Sequence, residues 1–238
     1  MTPFTNLAAI LLAAGFSRRM GGENKLLKPL DGKPLIAHAV ATVAGLGLGQ
    51  LIIVLGDAAD ALAPLLPAAA TPSITREKWL PVFAGDAETK SLSRSFVGLP
   101  TQTCLVRNSR AAEGMGASLA AGAAALDPSL AGVFVVLSDM PFVTRGDYDA
   151  LAAGFAAQGG GAICVPLHDG RRGHPVLFPA RHFSGLAASH GDSGARRLLA
   201  DPDAVIREVE GCSAGVLADF DDPAAFAAHF EGRGKIEQ

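Results

Sequence analysis

The chain has 238 residues, of which 49% are apolar, and a formal charge of −3. That size and apolar content suit one large α/β domain with a buried core, and the near-balanced charge offers no basic footprint for a nucleic-acid partner. Cys104, Cys164 and Cys212 are far apart, odd in number and match no zinc spacing, as expected of buried thiols in a reducing compartment. No run of about eighteen apolar residues occurs, so no membrane span is expected. Arg18 and Arg19 follow the first apolar run, where a secretory signal would be cut, so the expected location is the cytoplasm.

The first predicted strand is Leu7 to Ala13, "LAAILLA", apolar on both faces. It delivers the chain to Ala13, Ala14 and Gly15, small residues that let a ligand approach the backbone closely. The loop "GFSRRMGG" then offers backbone N–H groups, the Ser17 hydroxyl and the guanidiniums of Arg18 and Arg19, with Lys25 beyond the turn. Clustered donors and fixed positive charge suit a polyphosphate. The alternative is a plain strand-to-helix turn followed by a solvated basic face. Two familiar phosphate motifs fail here. A P-loop needs GxxxxGK[ST], whereas Gly15 is followed by glycine only at Gly21 and Gly22, and Lys25 precedes Leu26. The dinucleotide fingerprint is absent from this loop, and "GLGLG" at Gly45 to Gly49 comes before a strand, which is the wrong order.

Further along, a helix is expected over Pro34 to Ala44, a strand over Leu51 to Leu55 and a helix over Ala58 to Leu66. From about Ala68 to Pro100 the periodicity is lost, and an insertion is expected, either a flap or an extra hairpin using "LPVFA". A strand over Thr103 to Val106 leads into "NSRAAEGMGASLAAG", Asn108 to Gly122, and a helix over Met115 to Leu126. Small residues and the Ser118 hydroxyl near that helix start can accept a flat ring edge or an anion, although Ser118 could equally be a helix-face residue. The strand Val133 to Leu137 is followed by "SDMPFV", which places Asp139 at its carboxyl end.

In a parallel sheet such ends share one edge, so Asp139 and the Gly15 loop can face one crevice. A carboxylate beside a polyphosphate calls for a cation between them, and Mg²⁺ is the natural choice; the alternative for Asp139 is a helix cap. After a helix over Gly146 to Ala157, strands are expected at Ala162 to Val165 and Pro175 to Phe178. Between them Arg171, Arg172 and His174 could hold a second anionic substrate, or His174 could be a turn residue. "GDSG" at Gly191 to Gly194 leads into a helix, Ser193 to Leu199, in a parallel α/β pattern, so no serine-protease triad is supported, and a Ser193 helix cap or a loop near the second substrate is expected instead. Near the end, Asp222 before Pro223 suits a helix N-cap, while Asp219 or Asp221 could supply a second metal oxygen. The alternation of apolar strands and alanine-rich helices predicts a three-layer α/β fold with a mostly parallel sheet.

Taken in order, the pieces "LAAGFSRRMG", "NKLL", "GKPLIAHAV", "EGMGASLAAG", "LSDMPFV", "RRGHPVLF", "GDSGARRLL" and "DFDDP" resemble the nucleotidyltransferases of molybdenum cofactor maturation, and among these the cytidylyltransferase branch of the MobA-like group. The resemblance runs from Leu12 to Pro223. It implies one Rossmann-like nucleotidyltransferase domain of the nucleotide-diphospho-sugar transferase type, interrupted by the insertion at about 68–100. Leu12, Ala13, Ala14 and Gly15 would touch base and ribose, Ser17, Arg18, Arg19 and Lys25 would meet the triphosphate, and Ser118 with Asn108 and Gly116 would help hold the base. Asp139 would hold Mg²⁺, with Asp219 or Asp221 as the second oxygen source; the usual DxDTP ending carries Asp222 here in place of threonine.

Arg19, Lys25 and Asp139 would be the catalytic set, and Arg172 and His174 the acceptor contacts. Ala14 stands where the guanylyltransferase branch carries a second glycine, which favours CTP over GTP. The implied reaction moves CMP from CTP to the phosphate of molybdenum-bearing molybdopterin and releases pyrophosphate, with a recipient molybdoenzyme as a further partner. The alternatives are transfer to a sugar or polyol phosphate, and a non-catalytic carrier of the finished cofactor.

Overall fold

The computed structural model describes residues 4–15, 24–56, 58–62, 79–81, 90–93 and 103–220. In chain order the elements are β1 (Leu7–Ala13), β2 (Pro29–Leu30), β3 (Lys33–Pro34), α1 (Leu35–Ala44), β4 (Gln50–Leu55), α2 (Ala59–Leu62), β5 (Trp79–Pro81), β6 (Lys90–Ser93) and β7 (Thr103–Arg107). They continue with α3 (Met115–Ala123), β8 (Gly132–Leu137), α4 (Arg145–Ala157), β9 (Ile163–His168), β10 (Arg171–Arg172), β11 (Val176–Pro179), α5 (Phe183–Ala187), α6 (Arg196–Leu199) and β12 (Ile206–Val209). Among the described residues no helix is long and apolar enough to cross a membrane.

The main sheet runs β10-β9-β11-β8-β1-β4-β7-β6-β5, with β12 also paired to β9. Its centre, β8-β1-β4-β7, is parallel. Every residue of β1 is buried, and its side chains alternate between two cores, as strand geometry requires. Leu7, Ala9, Leu11 and Ala13 join Leu35, Ile36 and Val40 of α1 and Tyr148, Leu151 and Phe155 of α4. Ala8, Ile10 and Leu12 join Leu119 and Ala121 of α3 and Leu186 of α5. Helices therefore cover both faces, and the expected three-layer architecture is present.

Two expectations change, and in the insertion the described strands match the hairpin alternative. β11 is antiparallel to both β8 and β9; an all-apolar run reports burial on two faces, and burial alone does not fix strand direction. The helix expected from Ser193 begins at Arg196, because Gly191–Ser193 forms a 3₁₀ turn that ends at Gly194 with φ of 52°. The Ala68 to Pro100 segment contains the antiparallel pair β5–β6, which extends the sheet from β7 and uses Trp79–Pro81 and Lys90–Ser93.

Two ribbons escaped the sequence reading although both carry a hairpin signal. Asp31–Gly32 and Asp169–Gly170 each have positive φ at both residues and join β2 to β3 and β9 to β10, the turn for which Asp-Gly is suited. β12 has no apolar run, and its central Arg207 and Glu208 are exposed, so it carried no strand signal.

The order of the central strands positions the site. From β1 the chain moves through β4 and β7 to one side, then returns to place β8 on the other. The crevice beyond the carboxyl ends of β1 and β8 is thus the topological switch point, where open α/β sheets bind ligands.

Candidate active site

Register brings the functional segments into one row. Leu12 pairs with Leu137, so the ends of β1 and β8 lie side by side, and both the backbone N–H and the hydroxyl of Ser138 donate to the Leu12 carbonyl, at 3.3 and 2.8 Å. Asp139 is the next residue. Lys25 reaches it from a 3₁₀ turn, Lys25–Leu27, that is fixed at two points: the Asn24 side-chain oxygen accepts from the Leu26 N–H at 3.0 Å, and the Leu26 side chain is buried in the core. Lys25 Nζ lies 2.6 Å from Asp139 Oδ2, with side chains 15% and 19% exposed. Such a partly buried pair contributes little net stability after desolvation, so its value here is orientation.

A cavity of about 370 Å³ opens over this pair. Its lining includes the predicted Leu12, Ala14, Gly15, Lys25, Ser118 and Asp139, together with Ala111 to Met115, Ser138 and Asp192. Asn108 is 2% exposed and stands behind the wall: its Nδ2 donates to Ser118 Oγ at 3.1 Å and its Oδ1 accepts from the Arg110 N–H at 3.0 Å, which fixes the Ser118 hydroxyl in place. Ala13 belongs to the core on the opposite face of the sheet. Gly116 is buried against the His190 backbone, where a Cβ would stand 2.5 Å from the carbonyl carbon, so close packing is sufficient reason for glycine there. Ser17, Arg18, Arg19 and Asp221 lie outside the described residues.

A second cavity, about 490 Å³, adjoins the first and shares Leu12, Met115, Leu137, Asp139 and Asp192 with it. Both volumes lie in the range of small-molecule sites. Arg171, Arg172, His174, Arg196 and Asp219 line the second one. Arg172 is oriented by an ion pair from its Nε to Glu208 Oε1 at 2.7 Å. His174 is held below the ordinary histidine pKa chiefly by burial and also by Arg196, against the opposing pull of the Asp139 carboxylate and the Val135 carbonyl. Its imidazole is therefore neutral near pH 7, and the cationic character of this cavity comes from the arginines. Sequence reasoning left the GDSG loop as a helix cap or a loop near the second substrate and named neither Arg196 nor Asp192, which line the cavity because this loop folds back onto the start of α3.

The donors fit a divalent metal of the magnesium type. Asp139 and Asp219 face one cavity, and the two segments are tied together by a hydrogen bond from the Phe220 N–H to the Asp139 carbonyl at 3.2 Å. Among the described residues there is no group of three or more His, Cys, Asp or Glu side chains able to hold a metal alone. A pair of carboxylates whose metal is completed by phosphate oxygens and water is the arrangement Mg²⁺ favours.

The switch-point crevice thus holds a lysine–carboxylate pair at the junction of two cavities, and comparison with known proteins gives the family. Residues 9–206 match the MobA-like NTP transferase domain, and the chain belongs to that family. Nucleotidyltransferases of this family typically use a divalent metal. The bifunctional protein GlmU of Agrobacterium fabrum is 28% identical over 211 residues, covering 88% of this chain but only 38% of that protein's length. The Rv0371c homologue from Mycobacterium sp. strain JC1 superposes with a TM-score of 0.72 at 25% identity, covering 98% of this chain and 100% of that one. Molybdopterin-guanine dinucleotide biosynthesis protein A from Archaeoglobus fulgidus shares the fold, with a TM-score of 0.59 at 14% identity over 96% of this chain and 100% of its own.

Proposed function

We propose that the protein transfers CMP from Mg·CTP to the phosphate of molybdopterin carrying molybdenum, releasing pyrophosphate. The observation that carries the proposal is the placement of Asp139 and its partner Lys25 where a nucleotide-sized cavity meets a second cavity lined by Arg171, Arg172 and Arg196. Two anionic substrates that repel one another need a lining of this kind.

In the step itself, an oxygen of the acceptor phosphate forms a bond to the α-phosphorus of CTP, the α–β phosphoanhydride bond breaks, and pyrophosphate leaves with that electron pair. A phosphate monoester is already largely ionised near neutral pH, with a second pKa of about 6, so no side chain has to remove a proton. This agrees with the neutral, buried His174. Lys25, with Arg18 and Arg19 earlier in the chain, stabilises charge on the triphosphate, while the second-cavity arginines hold the acceptor in line. Asp139 and Asp219, with Asp221 as the alternative to Asp219, hold Mg²⁺, which supplies charge neutralisation on the phosphate oxygens when bound.

Ala14, 6% exposed on the wall of the first cavity, stands where the guanylyltransferase branch has glycine, and this supports CTP as the donor. The test is a panel of the four NTPs against molybdenum-bearing molybdopterin, a sugar phosphate and a polyol phosphate, with Mg²⁺ and a pyrophosphate assay. Turnover confined to CTP with the pterin is expected. Turnover only with a sugar or polyol phosphate would reassign the acceptor, and pyrophosphate release with no pair would leave the carrier reading in its place.

A further inference from the structure

Asp147 lies outside both cavities, in the first turn of α4, and is 3% exposed. A carboxylate that far from water needs donors, and it has four. The Thr144 N–H and hydroxyl both donate to its Oδ2 at 2.8 Å, and the first of these, together with the Asp147 N–H donating to Thr144 Oγ1 at 3.4 Å, makes the α4 capping box. The other two donors come from far along the chain: the Ser213 N–H reaches Oδ1 at 2.6 Å and the Ser213 hydroxyl reaches Oδ2 at 2.8 Å. A capping box needs only bonds between Thr144 and Asp147, so the pair from Ser213 needs its own explanation.

Ser213 begins a strap whose Val216, Leu217 and Asp219 line the second cavity. At Gly215 the strap backbone lies against Phe142 so closely that a Cβ would clash with the Phe142 carbonyl, and at Val216 its carbonyl allows no Cβ on Gly173. The Val216 carbonyl accepts from the His174 N–H at 2.9 Å. Asp219 then lines the cavity, and the Phe220 N–H closes the strap on the Asp139 carbonyl. One end is thus pinned by Asp147, the other by the residue that pairs with Lys25, and between them sit contacts to Gly173, His174 and Asp219.

We infer that Asp147 is a positioning residue, acting through Ser213 and the 213–220 strap to set Asp219 and His174 against Asp139 for the metal and the acceptor. The inference rests on the site assignment proposed above and adds to it a residue that touches neither substrate. Residues that orient metal ligands typically change metal affinity by 10–100-fold when altered, which sets the scale of the test.

The experiment compares Asp147→Asn, Ser213→Ala, Ser213→Thr and Thr144→Ala with the wild type, reading Mn²⁺ binding in the presence of CTP by electron paramagnetic resonance, both KM values and the melting temperature. Asp147→Asn and Ser213→Ala are expected to weaken Mn²⁺ binding about tenfold and to raise the acceptor KM while the CTP KM holds. Ser213→Thr, which keeps both donors, should restore wild-type behaviour, and Thr144→Ala should lower the melting temperature without moving Mn²⁺ binding. If Asp147→Asn fails to fold, Ser213→Ala decides alone. Folded variants with wild-type Mn²⁺ binding and acceptor KM would overturn the inference. If the wild type transfers nothing to any acceptor, the proposed reaction falls, whereas the Mn²⁺ series still tests the strap.

Discussion

Lys25 and Asp139, 114 positions apart in the chain, meet at 2.6 Å where the two cavities join. In the proposed reaction this pair keeps a charge of each sign in place before substrates arrive, so little reorganisation is needed in the transition state. Asp139→Asn should reduce metal-dependent pyrophosphate release by roughly 10²-fold or more while leaving the fold intact, as circular dichroism would show. Lys25→Met should do the same with metal binding retained. Activity within a few-fold of wild type in Asp139→Asn would remove Asp139 from the mechanism.

Arg196 and Arg172 line the same cavity but differ in how they are held. Arg172 is braced by Glu208, whereas among the described residues no carboxylate pairs with Arg196. A charge-assisted contact to a phosphate contributes about 1.5–3 kcal/mol. Arg196→Ala is therefore expected to raise the acceptor KM by roughly 10-fold or more, with the CTP KM unchanged and with a larger effect than Arg172→Ala. Steady-state kinetics with each substrate varied in turn checks this.

Ala14→Gly removes one methyl from the wall of the nucleotide cavity. A single methyl or methylene is worth about 10- to 200-fold in discrimination, so the ratio of kcat/KM for CTP over GTP should fall by about tenfold. An unchanged ratio would move base selection away from Ala14.

Burial works to raise the Asp147 pKa, but the hydrogen bonds from Ser213 and Thr144 outweigh it, and the net shift is downward. A group whose folded pKa is depressed stabilises the fold above its unfolded pKa, about 3.9 for aspartate, and loses that contribution as pH falls through the folded value. The urea midpoint of the wild type should therefore fall on acidification below about pH 4. The Asp147→Asn protein should be less stable than wild type at pH 7, with the difference shrinking in acid. Parallel pH profiles for the two proteins would contradict this.

Gly116→Ala would drive a methyl into the His190 backbone, which is not the movable end of a side chain. Overpacking of this kind costs about 1–3 kcal/mol. A lower melting temperature is expected, together with weaker substrate binding, because the displaced loop carries Asp192 between the cavities.

The amino-acid sequence by itself determined the layered α/β class, because strands buried on both faces and helices with one apolar face leave their pattern in composition and spacing. Leu7–Ala13 is legible in full from that pattern. It also determined Asp139 and the Gly15 turn as parts of one edge, since residues at the carboxyl ends of parallel strands must share it.

Tertiary structure decided the remainder. The direction of β11 could not be read, because two-sided burial looks the same in either orientation. Lys25 is legible as a cation near a phosphate loop, but its partner is set by a turn anchored through Leu26. Arg196 and Asp192 reach the cavities through a loop lodged against Gly114 and Gly116. The link from Asp147 to Ser213 spans 66 positions. Such pairings depend on where the chain returns after a long excursion, and local periodicity, which looks only a few residues ahead, holds no record of that.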